Sequence, residues 1–200
     1  MKILITGFDP FGGETVNPAT EAVKLLQAPE GTVLSRLTDL PTVFGTGDTV
    51  CQAILREKPQ AVVCVGQAGG RAAVTVERVA INVMDASIED NRGFCPRDLP
   101  VEPGGAAAYF STLPIRKIVS AIRAAGVPAQ ISNTAGTFVC NSLLYQVLSF
   151  LQREQLPVKA GFIHVPFLPS QAEAHPGCPG LPLSQMVTAL EAALSAIGED

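Results

Sequence analysis

The sequence predicts an α/β fold with a largely parallel sheet and helices on both of its faces. Three observations carry this. Apolar, β-rich runs alternate along the chain with amphipathic stretches of helical period, the order that βαβ units produce. The run Ala61-Val62-Val63-Cys64-Val65 is apolar at every position, the pattern of a strand covered on both faces of a sheet. Finally, 200 residues with 47% hydrophobic content suffice for one domain, over 1–200, that hides roughly 70% of its unfolded surface.

Lys2 to Thr6 reads as the first strand, broken at Gly7, and Phe8-Asp9-Pro10-Phe11-Gly12-Gly13 follows as a turn-rich loop carrying two phenylalanines. Asn17 supplies an N-cap and Pro18 the first position of a helix to about Ala28, with Ala22, Leu25 and Leu26 as its apolar face. Val33 to Leu37 reads as a strand, Pro41 to Phe44 as an extended piece, and Asp48 to Arg56 as a helix turning Val50, Ile54 and Leu55 inward. The strand Ala61 to Val65 stops at Gly66 and makes Cys64 a core residue. Gly66-Gln67-Ala68-Gly69-Gly70-Arg71 then leads into a β excursion through Val74, Val76, Val79 and Ile81.

Residues 84–103 are polar and rich in turn formers, which fits either a plain surface loop or a cover over a site. Ala106 to Phe110 reads as a short helical piece, Pro114 to Gly126 as a helix with Ile115, Ile118, Val119 and Ile122 on one face, and Ala129 to Ser132 as a strand. Gly136 or Thr137 caps the next helix, whose Leu143, Leu144, Val147, Leu148 and Leu151 face the sheet. Val158 to Val165 is a strand, Pro166 to Pro182 a proline-rich loop, and Ser184 to Ile197 the final helix with Met186, Val187, Leu190 and Leu194 inward.

Composition narrows the function. Net charge is −4 without a basic cluster, which argues against nucleic acid and anionic membranes as partners. No apolar run reaches the roughly 18–20 residues of a membrane span, and the opening apolar run is too short for a secretory signal, so the chain reads as cytoplasmic. Five cysteines at irregular spacing read as free thiols rather than a disulfide framework. A small or neutral ligand fits best.

Loops of an open α/β sheet gather at the carboxyl ends of its strands. Cys140 after one strand, His164 at the end of the next and Glu77 beyond the glycine turn all come to such ends. A thiol at a helix N-terminus is biased towards thiolate, and thiol, imidazole and carboxylate are the groups acyl transfer needs. Taken singly, each has another reading: Cys140 as an inert core thiol, His164 as a hydrogen-bonded core residue, Glu77 in a structural ion pair with Arg71 or Arg78. His175 lies in the turn-rich Ala174-His175-Pro176-Gly177-Cys178-Pro179-Gly180 and forms at best half a metal site through its His-x-x-Cys spacing. The glycines of Gly66 to Arg71 lack the spacing of a nucleotide loop, so a phosphate site there is weakly supported.

Four stretches in order, Thr6-Gly7-Phe8-Asp9-Pro10-Phe11-Gly12-Gly13 with Asn17-Pro18, Gly66 to Arg71 leading to Glu77-Arg78-Val79-Ala80-Ile81-Asn82, Ala135-Gly136-Thr137-Phe138-Val139-Cys140-Asn141, and Gly161-Phe162-Ile163-His164-Val165-Pro166, resemble the pyroglutamyl peptidase I family. These are cytoplasmic cysteine exopeptidases, and the resemblance spans almost the whole chain. It implies an α/β/α sandwich with a mostly parallel, partly mixed sheet, no metal or organic cofactor, N-pyroglutamyl peptides as substrates, and a homotetramer or dimer. It places Cys140 as nucleophile, His164 as general base and Glu77 as the acid that orients the imidazole. Phe8, Phe11 and Phe138 would line the ring pocket, with Asn17, Thr42 and the Gln67 backbone contributing; a neutral lactam suits apolar walls and a few amide-directed hydrogen bonds.

One position departs from the family pattern: Ser87 stands where many members carry an arginine that donates to the oxyanion. Either another group, Arg71 or Arg92, takes that role, or the enzyme is slower or tuned differently, which leaves open a second reading, a pyroglutamate-binding module or weakly active homologue.

Overall fold

The computed structural model describes residues 1–198; Glu199 and Asp200, the end of the expected 1–200 unit, lie outside the described residues. Strand β1 (Lys2–Phe8), helix α1 (Pro18–Leu25) and strand β2 (Val33–Leu40) form the first unit. Helix α1 begins as its sequence dictates, with the Asn17 carboxamide oxygen accepting from the Ala19 N–H at 3.0 Å and Pro18 where no backbone donor is needed. Helix α2 (Gly47–Glu57) leads to β3 (Ala61–Gln67), and β4 (Val74–Glu77) and β5 (Val79–Ile81) follow. The chain continues through β6 (Ala108–Phe110), α3 (Ile115–Ala124), β7 (Ala129–Ser132), α4 (Val139–Arg153), β8 (Lys159–Val165), α5 (Pro169–Ala174) and α6 (Leu183–Gly198).

Six strands make one sheet in the order β2-β1-β3-β8-β4-β7. Every neighbouring pair is parallel except β8 with β4. One core cluster packs α1, α3 and α6 against one face, and a second packs α2 and α4 against the other. The result is the α/β/α sandwich with a mostly parallel, partly mixed sheet. The central strand β3 is buried at all of its positions, as a run apolar at nearly every residue requires.

The single antiparallel pairing positions the site. It sets Thr75 opposite His164, so Glu77, two residues further along β4, lies on the same face and diagonal to His164, within reach of a long side chain. In the parallel register of β3 with β8, Gly66 is the partner of His164. All of these point to the face covered by α4.

Several local expectations are corrected. Strand β3 does not stop at Gly66 but runs on to Gln67. Ala108–Phe110 is a strand paired antiparallel with β5, not a helical piece; its β-favouring Tyr109 packs on Tyr145 at 5.0 Å between ring centroids. Leu25 and Leu55 are 54% and 46% exposed, because the buried stripes run through Ala19, Ala22 and Val23 in one helix and Val50 and Ile54 in the other. The proline-rich stretch after β8 contains the short helix α5. Neither Gly136 nor Thr137 caps α4: its N-cap is Phe138, whose side chain makes no capping hydrogen bond.

Candidate active site

Helix α4 starts immediately after a tight turn in which Gly136 adopts φ +78°, a conformation glycine takes without strain. The Thr134 hydroxyl accepts from Gly136 N–H at 3.0 Å and fixes that turn. Cys140 therefore occupies the first turn of α4, where backbone N–H groups lack intrahelical acceptors. Its sulfur lies over Gly66: a Cβ built there would meet Cys140 Sγ at 2.9 Å and Phe162 at 2.8 Å. Gly66 is thus the position that gives the thiol room, directly beside His164 on the neighbouring strand.

Glu77 and His164 meet at 2.8 Å between Oε1 and Nδ1, with the side chains 0% and 4% exposed. The bond to a carboxylate assigns the proton to Nδ1 and leaves Nε2 as the acceptor nitrogen. The ring also packs, tilted by 40°, on Phe162 at 4.6 Å between centroids. Arg71 reaches the same Oε1 with Nη1 at 2.5 Å and donates Nη2 to the Thr134 carbonyl at 3.2 Å.

Burial alone would raise the Glu77 pKa, but the donors on it, led by His164 and including Arg71, hold it below the usual carboxylate value. Burial pushes His164 down, against the pull of Glu77, so the ring is a neutral base at neutral pH. The Cys140 thiol is pushed up to about 12, first by burial and then by the negative Glu77. A thiol held in that state needs a base beside it before it can attack.

The loop after β1 forms the rim. Phe11 packs on Phe138 at 5.9 Å, Phe138 on Phe44 at 5.4 Å, and Phe44 on Phe94 at 5.7 Å. Phe8 is 1% exposed and stacks on Phe162, so it backs the site from the core. Asn17 and Thr42 are both buried, and their side chains bind the loop itself: Asn17 Nδ2 donates to the Asp9 carbonyl at 3.0 Å and Thr42 Oγ1 to Asp9 Oδ1 at 2.7 Å. Gln67 is buried and accepts from Gln171 at 3.0 Å.

The 84–103 segment covers this rim. Asn91 donates to Asp9 Oδ1 and the Pro10 carbonyl, and Asp90 accepts from the backbone of Phe44, Arg92 and Phe94. Thr137 Oγ1 donates to the Asp85 carbonyl at 2.6 Å, and Ser87, two residues on, is exposed. Sequence reasoning did not assign Phe44, Phe94, Gln171 or Asn141. The last donates to the Ile81 and Val83 carbonyls and accepts from Ile81 N–H, tying α4 to β5; a polar residue beside Cys140 on an otherwise apolar helix face was the available signal. The His-x-x-Cys spacing resolves into a turn, Cys178 N–H donating to the His175 carbonyl at 3.0 Å.

Fold and site together define a cysteine peptidase on an α/β/α scaffold. The sequence model of the pyroglutamyl peptidase family matches residues 1–200. The pyrrolidone-carboxylate peptidase of Levilactobacillus brevis is 52% identical over 198 residues, covering 98% of this chain and 97% of that one. That of Staphylococcus carnosus is 53% identical over 204 residues, 100% and 94% of the two chains. Among solved structures, pyroglutamyl peptidase I from Bacillus amyloliquefaciens superposes with a TM-score of 0.94 at 44% identity, over 100% of this chain and 95% of that one. A mutant pyrrolidone carboxyl peptidase from Pyrococcus furiosus gives 0.93 at 36% identity, over 100% and 99%. The chain belongs to the pyroglutamyl peptidase family, and it is a cysteine peptidase of the pyroglutamyl peptidase I type. These similarities do not favour the binding-module reading.

Proposed function

We propose that this protein removes N-terminal pyroglutamate from peptides through a thioester on Cys140. The observation that carries the mechanism is the buried Glu77–His164 pair at 2.8 Å beside a thiol seated over Gly66. In acylation, His164 Nε2 takes the proton of Cys140 as the sulfur attacks the pyroglutamyl carbonyl, then returns it to the nitrogen of the departing peptide as the C–N bond breaks. In deacylation, His164 takes a proton from water, hydroxide adds to the thioester, and the thiolate leaves and recovers that proton. Glu77 keeps the proton on Nδ1 and stabilises the imidazolium between the two transfers. No metal or organic cofactor enters these steps.

The Cys140 backbone N–H, in the first turn of α4, would be the main oxyanion donor. Ser87 stands where the family resemblance leads one to expect an arginine, and one oxyanion donor is typically worth on the order of 10²–10³ in turnover. Ser87→Arg should therefore raise kcat; a variant slower than wild type would contradict this account of the loop.

The neutral lactam would sit against Phe11 and Phe138, with Phe8 backing the wall. Asn17 and Thr42 would act by holding the loop's shape, and Gln67 through its backbone. A single domain over 1–200 is supported by one sheet that draws strands from Lys2 to Val165. A homotetramer or dimer is supported by exposed apolar groups, Phe110 at 67% foremost; light scattering after gel filtration reads it. A cytoplasmic site of action fits a chain none of whose described helices is long and apolar enough to cross a membrane. The direct test is release of arylamine from a pyroglutamyl-arylamide at neutral pH. Wild-type rates surviving in Cys140→Ala would refute the mechanism.

A further inference from the structure

We propose that Arg71 is a positioning residue of this site, which holds the Glu77 carboxylate against the His164 ring and ties it to the turn that delivers Cys140. The proposal rests on the catalytic trio described above. One guanidinium bridges three segments. It leaves the turn after β3, contacts the Thr75 hydroxyl and Glu77 Oε1 on β4, and donates Nη2 to the Thr134 carbonyl at 3.2 Å. Thr134 in turn accepts from Gly136 N–H through its hydroxyl, and α4 with Cys140 starts three residues later. A planar fork of fixed donors is the group suited to such a bridge; an ammonium is not.

The contact also meets an electrostatic need. Glu77 is fully buried, and an uncompensated carboxylate there would be costly or would capture a proton. Its shared Oε1 receives Nδ1 of His164 at 2.8 Å and Nη1 of Arg71 at 2.5 Å, so the carboxylate stays ionised while it orients the ring. The ionisable groups gathered around Arg71 are Glu77 from β4, His164 from β8, Cys140 from α4 and, behind the thiol, Cys64 from β3. Arg78, next to Glu77 in the chain, donates to Asn133 at 2.7 Å. After burial, Glu77 raises the proton affinity of both His164 and Cys140 and Arg71 lowers it. Arg71 thereby offsets the field of the carboxylate, leaving a ring that is oriented yet still a free base.

Removing this positive charge raises the proton affinity of the whole cluster. Since the reaction needs neutral His164, the acidic limb of the rate profile must move to higher pH. The test measures kcat, KM and the pH dependence of pyroglutamyl-arylamide hydrolysis for wild type, Arg71→Gln, Arg71→Lys and Cys140→Ala, with melting temperatures of each. Arg71→Gln should lose about 10²-fold in kcat with little change in KM, and its acidic limb should move up. Arg71→Lys keeps the charge without the fork, so the limb should return to the wild-type position while kcat stays depressed.

A wild-type pH profile in Arg71→Gln, even with a lowered melting temperature, would reduce Arg71 to a structural ion pair and overturn the proposal. Should Arg71→Gln fail to accumulate folded, Arg71→Lys decides: wild-type kcat overturns, depressed kcat with an unmoved limb supports. An active Cys140→Ala would instead sink the underlying mechanism, and the two failures are distinct.

Discussion

His164 and His175 are the two histidines of this chain, and each is bonded to a glutamate, at 2.8 Å to Glu77 and at 2.6 Å to Glu14. By distance alone the second pair is the tighter. Their surroundings differ in every respect that bears on chemistry. The His164 and Glu77 side chains are 4% and 0% exposed, whereas those of His175 and Glu14 are 42% and 17% exposed. His164 bonds its glutamate through Nδ1; His175 uses Nε2, and its ring stacks on Phe167 at 4.7 Å. Arg71 backs Glu77, while Glu14 has a neutral second partner, Gln171. A short imidazole–carboxylate contact thus marks a site only when burial, a free ring nitrogen and a nucleophile accompany it.

The comparison breaks most sharply on removal of the rings. His164→Ala should lower kcat by roughly 10²–10⁴, and His175→Ala should change it by less than about threefold, since a solvent-screened pair of this kind contributes little. Equal losses would mean that the exposed pair also serves the reaction. Next in size is the acid. Glu77→Gln keeps the shape but loses the charge and can present an amide N–H₂ to Nδ1, inviting the wrong tautomer; a loss of about 10² in kcat with measurable residual activity is expected, and Glu14→Gln should be near wild type.

A smaller effect concerns stability. Burial is the first cause of the lowered His164 pKa, and the Glu77 pKa is lowered because its donors outweigh burial. Groups with depressed folded-state values stabilise the fold above their unfolded pKa, and that stability is lost as pH falls. The melting temperature should therefore decline below the ordinary histidine value of 6.5, with a further decline as Glu77 protonates. His175→Ala should show the same decline. A wild-type melting temperature equal at pH 7.5 and pH 5 would contradict the buried-pair account.

How much of this was legible in the sequence follows from what holds each part. His164, Gly66 and Glu77 sit on strands whose period and burial are written in apolar runs such as Ala61 to Val65, and the α/β order put them at one edge. The antiparallel run of β4 beside β8, which makes Glu77 diagonal to His164, is a pairing between segments 87 residues apart, and local pattern carries no trace of it. The rim was less legible still. Asp90, Asn91 and Gln171 hold loops by side-chain bonds to backbone or to distant polar groups, and such bonds leave no periodicity. The helix start that carries Cys140 is legible in local pattern, whereas the field the thiol feels is not, because Glu77 and Arg71 reach it from β4 and from the turn after β3.

The smallest effect separates the exposed pair from the residue that connects it to the site. Gln171 is 4% exposed; its Nε2 donates to Glu14 at 2.8 Å, to Gln67 at 3.0 Å and to the Val16 carbonyl at 3.2 Å, while its Oε1 accepts from Leu168 N–H at 3.0 Å. Gln171→Leu leaves several of these groups without a partner and should cost about 1–3 kcal/mol of stability. Its kinetic effect should fall on KM, because the loop from Gly12 to Val16 and the Gln67 turn lose a common tether while the Glu77–His164–Cys140 geometry is untouched. His175→Ala removes only the outer, screened end of the same connection and should shift KM less than Gln171→Leu does. If the two variants raise KM equally, the exposed pair, and not the buried glutamine, holds the loop, and the division drawn between the two histidines would have to be moved outward to include Glu14.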